Sequence, residues 1–331
     1  MSRYKNIYRI AFTIILLLSL IIAVFFVFNS IDSRSEKQPL VIVVLKTSDQ
    51  SVDYWQSVRA GVNSAAKEFN VKVEIKEPQN ETDIDGEIKI LQDSIKEKPN
   101  AIVLAALDYN LCIPVCQQIV KSGIKLITMD SGINSNIPLS FVATDNIEAS
   151  KNQGKELSSL LNSNSKIAII SVVSGASTSM DRENGLKLGL TQQQVENIIG
   201  TYYSNSLKST AYDITKQLLL NHPDIEGIAA LNEQSASGAA EAISELGLSG
   251  KVKLVGFDSS IEEIKYIESG TIQATVIQKP FNMGYIAVKT SYQAINHISV
   301  SKRINTGSQL ITKSNMYSIE NQKLLFPFIG S

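Results

Sequence analysis

Leu40-Val41-Ile42-Val43-Val44-Leu45 is an uninterrupted apolar run rich in β-branched residues. A strand with one wet face would alternate polar and apolar. A continuous run reads as a strand buried on both faces, as in a parallel sheet. Past this run the period changes. Val58, Val62, Ala65, Ala66 and Phe69 recur at helical spacing. Residues 71–75 read as the next strand, and Ile84, Ile88, Leu91 and Ile95 mark the next helix. Residues 101–107 read as a strand, 115–120 as a helix and 126–129 as a strand. The second half repeats the scheme. Residues 167–173, 198–203, 227–231 and 253–257 read as strands. The helices between them carry Leu157/Leu160/Leu161, Leu186/Leu190, Ile214/Leu218 and Ala239/Ala240/Ile243. Alternation of this kind predicts parallel sheets with right-handed crossovers. The expected fold is α/β, with two doubly wound lobes.

The length of 331 residues accommodates two such lobes. With 31 basic and 32 acidic residues the net charge is −1, which gives no concentrated positive surface for nucleic acid. Cys112 and Cys116, four apart, read as buried apolar thiols. On a helix that spacing does not suit a disulfide, and two ligands are too few for structural zinc. His222 and His297 stand far apart in sequence. No G-x-G-x-x-G follows a strand, and G-x-x-x-x-G-K-[ST] and G-x-S-x-G are absent. Neither a cofactor nor an enzymatic activity is expected.

The N-terminal region has a different solvent in view. From Ile10 to Phe28 only Thr13 and Ser19 interrupt an apolar run. A helix over it would span about 28 Å, close to a hydrocarbon core of roughly 30 Å. Arg3, Lys5 and Arg9 precede the run, while Asp32, Arg34, Glu36 and Lys37 after it cancel. The positive-inside rule then predicts a cytoplasmic N-terminus and an external remainder, in the cell membrane as a single pass. The run ends in Val27-Phe28-Asn29-Ser30-Ile31, too bulky for signal cleavage, and no cysteine follows before Cys112 to carry a lipid. The expected layout is a cytoplasmic tail 1–9, an uncleaved anchor in the lipid bilayer over 10–28 and a linker 29–39.

Polar residues follow the apolar runs directly: Asp108, Asp130, Asp145, Asn232 and Asp258. Ligands of open parallel sheets bind beyond the carboxyl ends of the strands. A single strand-end aspartate often just caps a helix. Five, spread over both halves, predict a polar cleft between lobes.

Further stretches carry a resemblance. They are Leu254-Val255-Gly256-Phe257-Asp258, then Ile272-Gln273-Ala274-Thr275-Val276-Ile277-Gln278-Lys279-Pro280 and Gly284. Asp181-Arg182-Glu183-Asn184-Gly185-Leu186 and His222-Pro223-Asp224 before Ala229-Ala230-Leu231-Asn232 agree with them. Together they resemble the ribose-binding branch of type I periplasmic sugar-binding proteins, which share their fold with the effector domains of LacI-type repressors. The resemblance runs from about residue 40 to 300. It implies a three-crossing hinge, with 40–143 plus 279–303 in lobe 1 and 144–278 plus 304–331 in lobe 2. It also implies a ligand site. Tyr54 and Trp55 would pack on the flat C–H face of a sugar, or else start a helix core. Asp130 would accept from hydroxyls, and Arg182 would donate its fork to two adjacent oxygens. Asn232, Asp258 and Gln278 would add polar contacts. Asp53 would either touch a hydroxyl or cap the helix.

The chain departs from the ribose pattern at three places. Ser131 stands where an arginine is usual. Val52-Asp53 replaces Asn-Pro. Ser204-Asn205-Ser206 offers no second-lobe aromatic. These changes turn the expected ligand from ribose toward another monosaccharide, a pentose such as xylose. The anchor without a lipid-bearing cysteine is similar to anchored clostridial xylose-binding proteins that pair with a LytS-type sensor histidine kinase. The expected partners are a monosaccharide and such a kinase. The alternative is an ABC permease served by a substrate-binding subunit.

Overall fold

A computed structural model describes residues 12–22, 24 and 38–325. Residues up to 38 and residues from 39 onward form separate units. In the first, residues 12–22 form helix α1, with apolar side chains exposed along its length. Among the described residues no helix is long and apolar enough to cross a membrane. The expected anchor 10–28 lies partly outside the described residues.

The second unit starts with β1 (Leu40–Val44), α2 (Asp53–Glu68), β2 (Lys72–Lys76), α3 (Ile84–Lys96), β3 (Ala101–Leu104), α4 (Ile113–Lys121), β4 (Lys125–Met129) and β5 (Ser140–Ala143). Then follow α5 (Asn146–Leu160), β6 (Lys166–Ser171), α6 (Ser177–Gly189), α7 (Gln192–Glu196), β7 (Ile198–Tyr203), α8 (Lys208–Asn221), β8 (Ile225–Ala230), α9 (Glu233–Glu245), β9 (Lys253–Phe257), α10 (Ile261–Ser269) and β10 (Ile272–Ile277). The chain closes with α11 (Pro280–Ile295), β11 (Arg303–Asn305), β12 (Gln309–Thr312) and α12 (Ile319–Leu325).

Two sheets result, ordered β11-β5-β4-β3-β1-β2 and β12-β10-β9-β8-β6-β7. All pairings are parallel except β12 on β10, an antiparallel edge. The chain passes between sheets after β5, after β10 and after β11. At the first and third passages Thr144 and Thr306 bring their hydroxyls to 3.5 Å, and the Asp145 amide donates to Asn305 Oδ1 at 3.2 Å. Because β11 pairs with β5, the third passage follows Asn305. The boundary expected between 303 and 304 cuts through that strand.

The continuous apolar run behaves as its composition demands. Val41 and Val43 point to one face of the first sheet, under Val58 and Val62 of α2 and Met283 and Val288 of α11. Ile42 and Val44 point to the other, under Leu91 of α3 and Cys116 and Ile119 of α4. In the second sheet Ile167 and Ile169 pack with Leu157 of α5 and Leu186 of α6, while Ala168 and Ile170 pack with Ala211 of α8 and Ala239 of α9. Period two, with both faces covered, is the doubly wound arrangement. The short strands β5, β11 and β12 carry no comparable run. They are edge or near-edge strands of three or four residues.

Helices α2 and α11 pack backbone to backbone. A Cβ at Gly61 would stand 1.9 Å from the Phe281 carbonyl oxygen, and one at Gly284 would stand 2.3 Å from that of Val58. Gly61→Ala is therefore expected to push the helices apart and destabilise the protein by about 1–3 kcal/mol. Urea unfolding checks it as a lowered midpoint with an unchanged slope.

Candidate ligand-binding site

Asp130 and Asp258 occupy equivalent positions in the two halves. Each directly follows the third strand in from the β11 or β12 edge, β4 and β9 respectively. Each has a left-handed backbone, with φ of 60° and 75°. Each donates its amide to the neighbouring strand, Asp130 to Val142 at 3.0 Å and Asp258 to Val276 at 2.7 Å. That conformation costs an L-residue roughly 1–2 kcal/mol, least for aspartate and asparagine. It turns the chain sharply at the strand end, and both carboxylates end up in the same cleft.

The two carboxylates are buried, and each has a cation. Lys46, directly after β1, places Nζ 3.0 Å from Asp130 Oδ2. Tyr54 donates its hydroxyl to Asp130 Oδ1 at 2.7 Å, and Ser131 donates to Oδ2 at 3.0 Å. Across the cleft, Arg182 on α6 holds Nη1 3.9 Å from Asp258 Oδ2, and Gln278 donates to Asp258 Oδ1 at 2.7 Å. Burial works to raise Asp130, but Lys46 and Arg182 outweigh it and hold its pKa below the usual value. Burial prevails at Asp258 and raises it. Arg182 and Gln278 oppose that rise, and Asp130 adds to it.

Arg182 is locked from several sides. Its Nε donates to Asn146 Oδ1 at 2.8 Å and its Nη1 to the Leu231 carbonyl at 2.7 Å. Its guanidinium lies 3.8 Å above the ring of Phe257. Asn232 caps α9 by accepting from the Ser235 amide, and its Nδ2 donates to Ser206 at 3.2 Å. Trp55 packs edge-on against Tyr54, ring centres 5.0 Å apart, and donates to Glu81 at 3.2 Å. Gln278 Oε1 is buried with no partner, an acceptor free for a hydroxyl donor.

Seven of the eight expected residues meet here. Tyr54, Trp55, Asp130, Arg182, Asn232, Asp258 and Gln278 line one small cavity of about 30 Å³. That is room for a water or two, and these side chains bond to one another and to neighbouring protein groups. Asp53 is the exception. It is the first residue of α2 rather than its cap, and it lines a neighbouring cavity of about 580 Å³. The larger cavity shares Tyr54, Asp258 and Gln278 with the smaller one. Its wall mixes apolar Ile261, Ile277, Pro280, Phe281 and Leu324 with polar Ser57, Ser260, Lys279 and Asn282.

Two strand-end residues of the expected set serve turns instead. Asp108 accepts from the amides of Asn110 and Leu111 at 2.7 and 2.8 Å, and Asp145 caps α5. Four polar cavity residues, Lys46, Glu81, Thr178 and Glu233, escaped the sequence reading. Lys46 follows the run 40–45 and carried the same strand-end signal as the aspartates, but it is a cation. Glu233 adjoins Asn232, and nothing local marks it. The lobes touch around the cleft. Gly132 donates to Ser177 Oγ at 2.9 Å and Tyr109 donates to the Gly175 carbonyl at 3.0 Å.

Removing one member of a buried ion pair strands the other. Lys46→Met is expected to cost about 3–5 kcal/mol. Asp130→Asn added to it should recover most of that loss. Urea unfolding of the single and double variants checks both.

This geometry agrees with what known proteins show. Residues 41–298 match the periplasmic binding protein domain family. A sugar transporter from Clostridium phytofermentans, known as a crystal structure, is 40% identical with a TM-score of 0.79, over 84% of this chain and 100% of that one. A carbohydrate transporter solute binding protein from Agrobacterium radiobacter, solved in complex with D-arabinose, is 30% identical with a TM-score of 0.83, over 88% and 100%. The D-allose-binding periplasmic protein of Escherichia coli is 28% identical over 262 residues, 76% of this chain and 83% of that one. With two sheets joined by three passages, a cleft lined from both, and a match over most of its length, the chain belongs to the periplasmic binding protein domain family, and it is a binding protein rather than an enzyme.

Proposed function

We propose that the protein binds a monosaccharide, a pentose such as xylose in preference to a hexose, between its lobes outside the cytoplasmic membrane, and presents the closed shape to a membrane partner. One observation carries the reading: seven residues from both halves, those the family resemblance implies for a sugar, line a single cavity. Lobe 1 comprises 40–143 with the segment from 279 through β11, and lobe 2 comprises 144–278 with the C-terminal segment. Hydroxyls replace the internal pairs as the sugar enters. Asp130 and Asp258 accept, Lys46 and Arg182 donate, and Gln278 and Asn232 do both. Because hydrogen bonds are exchanged rather than created, selectivity comes from the sugar that leaves none unmade. The likeness to a protein solved with D-arabinose supports a pentose. The presence of Ser131, in place of an arginine, argues against ribose.

The partner follows from the N-terminal run. An uncleaved anchor over 10–28, with no cysteine for a lipid, supports a sensor histidine kinase as the partner that reads closure. The exposed apolar surface of α1 is consistent with contact to lipid. A second reading, service to an ABC permease, is favoured by the names of the relatives, among them ribose import binding proteins. The genes flanking this one separate the two. A kinase and response regulator support the sensor, and a permease with an ATPase overturns it.

Titration calorimetry of the full chain in detergent, with D-xylose, D-arabinose, D-ribose and D-allose, tests the ligand. A pentose should bind more tightly than D-allose, and tight D-allose binding without pentose binding overturns the preference. Asp258→Ala should weaken the bound sugar by roughly ten- to a hundredfold, the loss of a charged hydrogen bond. Unchanged affinity would remove Asp258 from the site.

A further inference from the structure

Helix α2 begins without a cap of its own. Val52 stands at the N-cap and has no side-chain oxygen to offer. The first amides of a helix have no partner inside it and need one from elsewhere. Here the partner comes from the opposite lobe. Glu233, the first residue of α9, accepts from the Asp53 amide through Oε1 at 3.3 Å and from the Tyr54 amide through Oε2 at 3.1 Å. Glu233 is 4% exposed. These bonds join residues that no strand or helix holds together, so they form only when the lobes meet.

We propose that Glu233 is a positioning residue that latches the lobes shut by capping α2 of lobe 1 from lobe 2. The inference rests on the reading of the lobes as jaws around a ligand, but not on which sugar they hold. In the open state water would serve the amides of Asp53 and Tyr54, and Glu233 would be solvated.

Closure then carries a proton with it. The charged groups around Glu233 are Asp53 on α2, Asp258 after β9 and Glu263 on α10, with Lys46 after β1, Glu81 before α3, Asp130 after β4 and Arg182 on α6 in the same cleft. Burial, and then the charges of Asp258 and Asp53, push Glu233 up to about 8, against the two amide bonds that lower it. Solvated in the open state, it returns toward 4.5. An acid with the higher pKa in the closed state takes a proton from solvent on closing. Its contribution to closure is complete below about 4.5 and is lost as pH rises through about 8. The neutral carboxyl still accepts from an amide through its carbonyl oxygen. Glutamine has the same shape and an acceptor oxygen, without the titration.

The test needs no sugar. Nitroxide labels on Leu111→Cys and Leu207→Cys, exposed positions on the two lobes, report the spacing across the cleft in the full chain in detergent. In the wild type the ratio of closed to open distances should fall by roughly tenfold or more between about pH 6 and about pH 9. Glu233→Gln should hold its ratio across that range. Glu233→Ala should lie open at both ends of it. Circular dichroism establishes that each variant is folded, and if Glu233→Ala is not, the Glu233→Gln profile decides alone. Wild-type distances in Glu233→Ala, or a wild-type pH profile in Glu233→Gln, would overturn the latch. Because the readout is sugar-free, failure of the sugar panel and failure of the latch are separate results.

Discussion

Charge taken out of water has to be paired, and the cleft is organised around that requirement. Asp130 and Asp258 are buried carboxylates. An unpaired ion in such a place would cost several kcal/mol, so each needs a cation and hydrogen-bond donors within reach. Lys46, Tyr54 and Ser131 serve Asp130, while Arg182 and Gln278 serve Asp258. These partners come from β1, α2, α6 and the passage after β10. Satisfying two charges thus draws together segments far apart in the chain, and it fixes where the strands may end.

The same requirement explains why the cleft suits a polyhydroxyl ligand. A hydroxyl both donates and accepts, so it can take the place of either partner in these pairs. The unpaired Gln278 oxygen shows that the internal pairing is incomplete. Because the residues belong to both halves, a ligand that satisfies them all does so only when the lobes are together. Under the proposed function, binding and closure are one equilibrium, shifted by whatever differential contact the ligand makes.

The scaffold keeps these residues in place without touching the ligand. Both sheets are covered on both faces, and the helices approach closely where glycine permits it. Gly284 was part of the stretch that carried the family resemblance. Its reason is steric, since a side chain there would collide with the Val58 carbonyl. The first and third passages between lobes lie next to one another, with Thr144 beside Thr306.

Much of this was legible in the chain. The run 40–45 specified a strand covered on both faces, and the alternation after it specified two parallel sheets, because period and composition are local properties. The strand-end rule found Asp130, Asn232 and Asp258. The short edge and near-edge strands β5, β11 and β12 were not legible, since their partners, not their composition, make them strands. Nor could local pattern separate Asp130 from Asp108 or Asp145, which look alike in sequence and serve turns and caps. It missed Lys46 and Glu233, and it left Asp53 between a hydroxyl contact and a helix cap, where the structure puts the residue one past the cap and on the neighbouring cavity. The sequence by itself determined the layers and the kinds of group at the ends of the strands it marked. Only the tertiary structure decided which of those groups share a cleft, because that depends on how two separately folded sheets are brought together by passages that are distant in the chain.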